Sequence, residues 1–165
     1  MITRAHQKGD AASAAVYSDC EAYRYALTRE WAPGRRLLVV MLNPSTATER
    51  ANDPTVERCE RRARTLGFGA FRVVNLFAFR ATDPRELLAA TDPVGPRNDA
   101  FLHSYLPDGV AAWGAHKMAS TRARGVVRAF VRSSPLWCLG VTKDGHPRHP
   151  LYVRADAPLI PWRTT

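Results

Sequence analysis

The sequence predicts a three-layer α/β/α sandwich around a short four-stranded parallel sheet, with one further strand at its N-terminal edge. Three observations predict it. Leu37–Leu42 is an unbroken apolar run ending in Asn43-Pro44-Ser45-Thr46, which reads as a strand buried on both faces and stopped by a residue that cannot donate to a ladder. Phe71–Leu76 reads as a second buried strand after an intervening helix, and strand–helix–strand units cross over right-handed into parallel sheets. The remaining chain continues in the order helix, helix, strand, helix, strand, which builds doubly wound layers.

Residues 1–15 are small and polar and are expected to fray. Tyr23–Trp31 alternates weakly and reads as an edge strand, followed by the turn Ala32-Pro33-Gly34. Beyond the Leu37–Leu42 strand, Asn43–Asn52 is a loop. Asp53-Pro54 then opens a helix, with Asp53 as N-cap and Pro54 in the first turn; Val56, Cys59, Ala63 and Leu66 recur at helical spacing, and Gly67 ends it. Asp83-Pro84 repeats the device. After the rigid loop Thr91–Pro96, helices are expected over Arg97–Leu106 and Ala115–Arg132, strands over Val110–Trp113 and Leu136–Val141, and coil over Ala157–Thr165. The last strand delivers the basic, histidine-bearing segment Lys143–Tyr152.

With 165 residues the chain fits one domain, residues 1–165. A net charge of +9 with locally clustered arginines points to a polyanionic partner, above all nucleic acid. No apolar run is long enough to span a bilayer and the N-terminus carries no signal-peptide pattern, so a cytoplasmic location and no membrane partner are expected. Cys20, Cys59 and Cys138 lie far apart, without the spacing of a disulfide framework, zinc site or iron–sulfur cluster. His146 and His149 are each followed by proline and cannot share a helical face, so no metal and no cofactor are expected. Dinucleotide and P-loop motifs and a nucleophile elbow are missing.

What remains is a set of polar residues at strand ends. In open α/β sheets ligands bind there. Asn43 ends the first buried strand, although an Asx-turn uses such a residue too. Asn75 interrupts the apolar run Phe71–Phe79, and a buried amide needs partners. His149-Pro150 adds a third polar group. Phe77, Phe79, Trp113 and Tyr152 add flat apolar walls, which ordinary core filling also uses. Aromatic walls with directed amides are what a nucleobase pocket requires.

Leu42-Asn43-Pro44-Ser45, Val74-Asn75-Leu76, the Val110–Gly114 strand and His149-Pro150-Leu151-Tyr152 resemble the ordered landmarks of the uracil-DNA glycosylase superfamily. The fuller pattern, LNPSTA…DPT…NLFAFRATDP…DPVGP…WG…HPLY, closely resembles a bacterial and phage domain family of unknown function. The superfamily resemblance implies a glycosylase-like fold and a monofunctional enzyme that hydrolyses the N-glycosidic bond of a flipped or single-stranded modified or mismatched pyrimidine. It implies Asn43 as the residue that orients water, Asn75 as the reader of the pyrimidine edge, and His149 as the stabiliser of the leaving base. Leu42, Pro44, Ser45, Phe77 and Trp113 would complete the substrate site. Arg80, Lys143, Arg148, Pro150, Leu151 and Tyr152 would meet DNA, bound by a monomer. Leu151 replaces the superfamily's serine, and Ser45 stands where glycine is usual. Two other readings stay open: a hydrolase or transferase acting on a modified nucleoside or nucleotide, and a nucleic-acid-binding module without chemistry. The base, and DNA against RNA, stay open too.

Overall fold

The computed structural model describes residues 1–105, 109–130 and 136–162, with the side chains of all but Pro84 and Phe130. The expected helix ends Leu106 and Arg132 and the last three residues of the tail lie outside the described residues. Eight strands form one mixed sheet: β1 (Ile2–Lys8), β2 (Ala11–Tyr17), β3 (Arg24–Glu30), β4 (Arg36–Met41), β5 (Ala70–Asn75), β6 (Gly109–Ala111), β7 (Leu136–Cys138) and β8 (Ile160–Trp162). Their order across the sheet is β1-β2-β3-β5-β4-β6-β7-β8. Pairings β4–β5, β4–β6 and β6–β7 are parallel; β1–β2, β2–β3, β3–β5 and β7–β8 are antiparallel.

This overturns the expected glycosylase-like sandwich on a short four-stranded parallel sheet with a single edge strand. The sheet has eight strands and antiparallel pairings are the majority. Three segments account for the difference. Residues 1–15, expected to fray, carry β1 and most of β2, which form a hairpin in continuous register from Ile2↔Tyr17 to Lys8↔Ala11. In β2 the residues Ala11, Ser13, Ala15 and Tyr17 point inward at every second position. That is a strand period, but the small residues carry it with little hydrophobicity. β3 is consequently an interior strand, buried along most of its length, rather than an edge. Finally, Ile160–Trp162 of the expected coil adds β8 antiparallel to β7.

Four α-helices are described: α1 (Pro54–Thr65), α2 (Pro84–Ala89), α3 (Asn98–Tyr105) and α4 (Lys117–Phe130). None is long and apolar enough to cross a membrane. Asp53 caps α1 by accepting from Val56 N at 2.8 Å, and Pro54 occupies the first turn, as the sequence predicts. Gly67 follows in the left-handed region (φ 78°), where Phe68 N bonds back to Ala63 O. Val56, Cys59 and Ala63 pack on one sheet face against Val39, Met41, Phe71, Val73 and Ala112. Leu87, Leu102, Ala119, Ala123 and Val126, from α2, α3 and α4, cover the other face against Val40, Val74, Leu76 and Ala111. Burial of this apolar surface, at about 25 cal/mol per Å², is the main stabilising term.

Candidate functional site

The strands β5, β4 and β6 end side by side, and Asn75, Asn43 and Gly114 lie at or just beyond those ends. Met41 pairs with Asn75 in the parallel ladder, which continues as Leu76 N to Met41 O and Phe77 N to Leu42 O, both 2.9 Å. On the other flank Ala112 N donates to Val40 O at 2.8 Å. Gly114 (φ 75°) follows β6, and a Cβ there would meet the His149 Cβ at 3.4 Å. His149 therefore lies against the same carboxyl edge as Asn43 and Asn75.

Asn43 is half-buried. Its amide donates to Pro44 O at 3.0 Å and to Ala81 O at 2.7 Å. Both amide protons are thus used to pin the loop, and what Asn43 offers a ligand is its Oδ1, an acceptor. Asn75 is fully buried, and neither its Nδ2 nor its Oδ1 has a hydrogen-bond partner. A buried amide left unmet costs about 1–3 kcal/mol, so Asn75 is a group with an unmet bonding requirement at a strand end.

His149 precedes the 3₁₀ turn Pro150–Tyr152, and its Nδ1 accepts from Leu151 N over a long 3.4 Å. Burial depresses its pKa below the ordinary histidine value, while the carboxylate of Asp53 opposes that shift. The neutral ring with Nδ1 as acceptor carries its proton on Nε2, a directed donor. Asp53 is more than a helix cap: its second oxygen accepts from Ala47 N at 3.3 Å, and it is the charge felt by His149. In the sequence Asp53 reads as a helix cap alone.

Other predicted site residues divide by environment. Leu42 and Phe77 pack into the cluster covered by α2, α3 and α4. Trp113 joins that cluster, edge-on to Trp162 at 5.0 Å between ring centroids. Residues alternate across the sheet, so Trp113 faces the layer opposite the α1 cluster that holds Val73 and Met41, and it does not join Asn75. Pro44 is buried; Ser45 Oγ donates to Thr82 Oγ1 at 3.3 Å beside an open cavity of about 510 Å³. Arg80 turns inward, its Nη1 on Glu21 O at 3.1 Å and its guanidinium over the Tyr17 ring. Lys143 and Arg148 are exposed, with Arg148 Nε on Val141 O at 3.0 Å. Pro150 is buried, Leu151 half-buried, and Tyr152 is 77% exposed with its ring 5.8 Å from that of His149.

Nothing local in the chain announces what holds the Asn43–Asn52 loop. Arg24 and Arg29 of β3 are fully buried under it. Arg24 Nη1 donates to Ala47 O, and burial pushes its guanidinium down to about 10. Arg29 donates to Ser13 Oγ at 2.7 Å, Thr48 O at 2.6 Å and Asn52 Oδ1 at 3.0 Å. Ser13 Oγ bonds Glu49 O, and Tyr17 OH donates to Glu49 Oε2 at 3.2 Å. The antiparallel strands are thus the base on which the loop rests.

A depressed His149 pKa has a consequence for pH. If neutral His149 is the working form, activity stays level on acidification past the ordinary histidine value of about 6.5 and falls only at lower pH. Asp53→Asn removes the opposing charge and moves that fall lower still. A pH–rate profile of both proteins checks this; an unchanged acid limb in Asp53→Asn detaches Asp53 from His149.

The profile of a family described as "Protein of unknown function (DUF1643)" matches residues 24–151. No curated protein and no solved structure matches the chain.

Proposed function

The chain belongs to that family of unknown function, so its function has to be argued from its own site, and we propose that it is a DNA glycosylase-like enzyme that hydrolyses the N-glycosidic bond of a modified or mismatched pyrimidine. The motif resemblance to uracil-DNA glycosylases supports this reading; the eight-stranded, mostly antiparallel sheet does not. The observation that carries it is Asn75, an amide fully buried at a strand end with both polar atoms unpartnered. A pyrimidine edge presents one acceptor beside one donor and would meet both once the strand end opened to admit it.

Cleavage breaks the C1′–N bond, with its electron pair leaving on the base and positive charge developing on the sugar. Neutral His149 donates from Nε2 toward the base oxygen where negative charge grows. Asn43 Oδ1 accepts one proton of a water and holds its oxygen toward C1′. An amide is too weak a base to remove that proton early, so it passes to solvent after C1′–O bond formation, and the enzyme is slow and sensitive to leaving-group quality. Tyr152, exposed beside His149, is suited to stack on or wedge beside a base, and Lys143 and Arg148 are exposed cations on the same segment for phosphates.

Asn75→Leu separates this reading from a structural role. It removes an amide that makes no side-chain hydrogen bond, so stability should hold or rise by up to about 1–3 kcal/mol, while abasic-site formation on oligonucleotides carrying uracil, hydroxymethyluracil or thymine mismatches is lost. A variant that keeps activity refutes the assignment of Asn75. Wild-type protein that binds these oligonucleotides through the same residues and leaves every base in place favours the binding module without chemistry.

A further inference from the structure

The opposite end of the sheet holds a cavity of about 560 Å³ that the proposed chemistry does not use. It opens at the amino ends of β4, β6 and β7. Arg36 begins β4, and the five residue steps to Met41 span about 17 Å at 3.3 Å each, so this cavity is remote from the Asn43 edge. Leu37 and Val110, both buried, form its floor. Phe68 and Trp137 form walls, and Arg35 and Arg36 stand among its lining.

Two features are unusual for a surface with no role. Trp137 is 41% exposed, between the buried Leu136 and Cys138. Arg35 lies over the Phe68 ring at 5.6 Å and, among the described residues, forms no ion pair, whereas Arg36 pairs with Glu30 at 2.9 Å. The backbone beneath Arg35 is fixed. Gly69 N donates to Arg35 O at 3.0 Å, and a Cβ at Gly69 would come within 2.3 Å of Ala32 O, so only glycine lets the turn seat this closely. Among the described residues the Arg35 guanidinium meets no carboxylate, and with the exposed Trp137 indole in the same lining it makes a receptor for a flat ring that carries negative charge.

We infer that this cavity is a second binding site, for a nucleotide unit, with its base against the Trp137 indole and its phosphate on the Arg35 guanidinium. An apolar ligand would leave the Arg35 guanidinium unmet, and a bare phosphate would leave the aromatic wall unused. A peptide would look for strand edges. Here β4, β6 and β7 are each paired on both sides, so none is open. Base–aromatic stacking with a guanidinium–phosphate contact uses the exposed indole and the Arg35 cation together, and the net charge of +9 favours the anion.

The test is calorimetric titration of the full-length protein with thymidine 5′-monophosphate, thymidine, a tetrathymidylate oligonucleotide, and a short acidic peptide containing tryptophan. The monophosphate should bind saturably and thymidine much more weakly. Arg35→Glu and Trp137→Ala should each weaken binding by about 5- to 100-fold, the range of one stacking or charge contact. His149→Ala should bind like wild type, which separates this site from the proposed active site. Binding of the oligonucleotide alone, weakened by the same two substitutions, identifies the nucleotide as part of a strand and supports the site equally. Arg35 lies on an exposed turn, so Arg35→Glu remains readable even if Trp137→Ala unfolds. The inference is overturned if neither thymidylate binds, if thymidine binds as tightly as its phosphate, if the peptide binds in their place, or if Arg35→Glu binds like wild type.

Discussion

His149→Ala is expected to slow base release by about 10²–10³, the range seen when one donor to a developing oxyanion is removed. The size follows from geometry and protonation. Nδ1 is engaged by Leu151 N and burial keeps the ring neutral, so Nε2–H is a single, directed donor. Its contribution is largest where the base leaves poorly and most charge must be stabilised. The loss should therefore shrink across a series of substrates with increasingly acidic leaving bases, measured as single-turnover rates of abasic-site formation. Asn43→Ala should slow every base by a similar factor, because placing a water does not depend on the base. A uniform loss for His149→Ala would reassign it to positioning, and full activity would remove the chemical reading.

Arg29→Met should be the most destabilising of these substitutions, by about 3–5 kcal/mol, because it removes a charged donor from three buried or half-buried neutral acceptors at once. Methionine fills much of the same volume, so the loss is polar rather than a cavity. Ser13 Oγ, Thr48 O and Asn52 Oδ1 would each lose a donor in a buried or half-buried setting. Urea denaturation reads the change as a lowered midpoint at unchanged slope. Because Thr48 and Asn52 belong to the loop that begins at Asn43, the surviving folded protein should also lose activity. A change below about 1 kcal/mol, the level of a surface ion pair, would mean that the loop does not rest on β3.

Some of this architecture is legible in the chain. Leu37–Leu42 is a β-rich apolar run with no polar competitor, and Phe71–Leu76 keeps enough apolar residues around Arg72 and Asn75 to read as a second buried strand. Asp53-Pro54 states its helix start in two residues. The hairpin is illegible for the opposite reason: Ala11, Ser13 and Ala15 bury so little area that hydropathy cannot register their alternation, and only the period of two remains. Arg24 and Arg29 mislead in another way. An arginine in a strand reads as solvent-facing, and its burial depends on carbonyls of a loop about twenty residues away. In the site, the strand-end positions of Asn43 and Asn75 follow from the local pattern, whereas the separation of Trp113 from Asn75 depends on which sheet face each residue takes. Arg80 looks like a phosphate ligand in sequence because nothing local announces Glu21 O and the Tyr17 ring as its partners.

The two outer strands bear on how this sheet meets other sheets. An unpaired strand invites a neighbour to add to it, and proteins discourage such growth with charges, prolines and short edges. β1 carries Arg4, exposed and paired with Glu21, and Lys8, half-buried and paired with Glu60, so a second strand laid against it would meet charged side chains. β8 is three residues long with Pro161 at its centre, which leaves a missing donor midway along. The antiparallel additions therefore do more than support the loop: they replace the bare flanks of the apolar parallel strands with borders unsuited to templating, and fibril-like growth from this sheet is disfavoured at both ends.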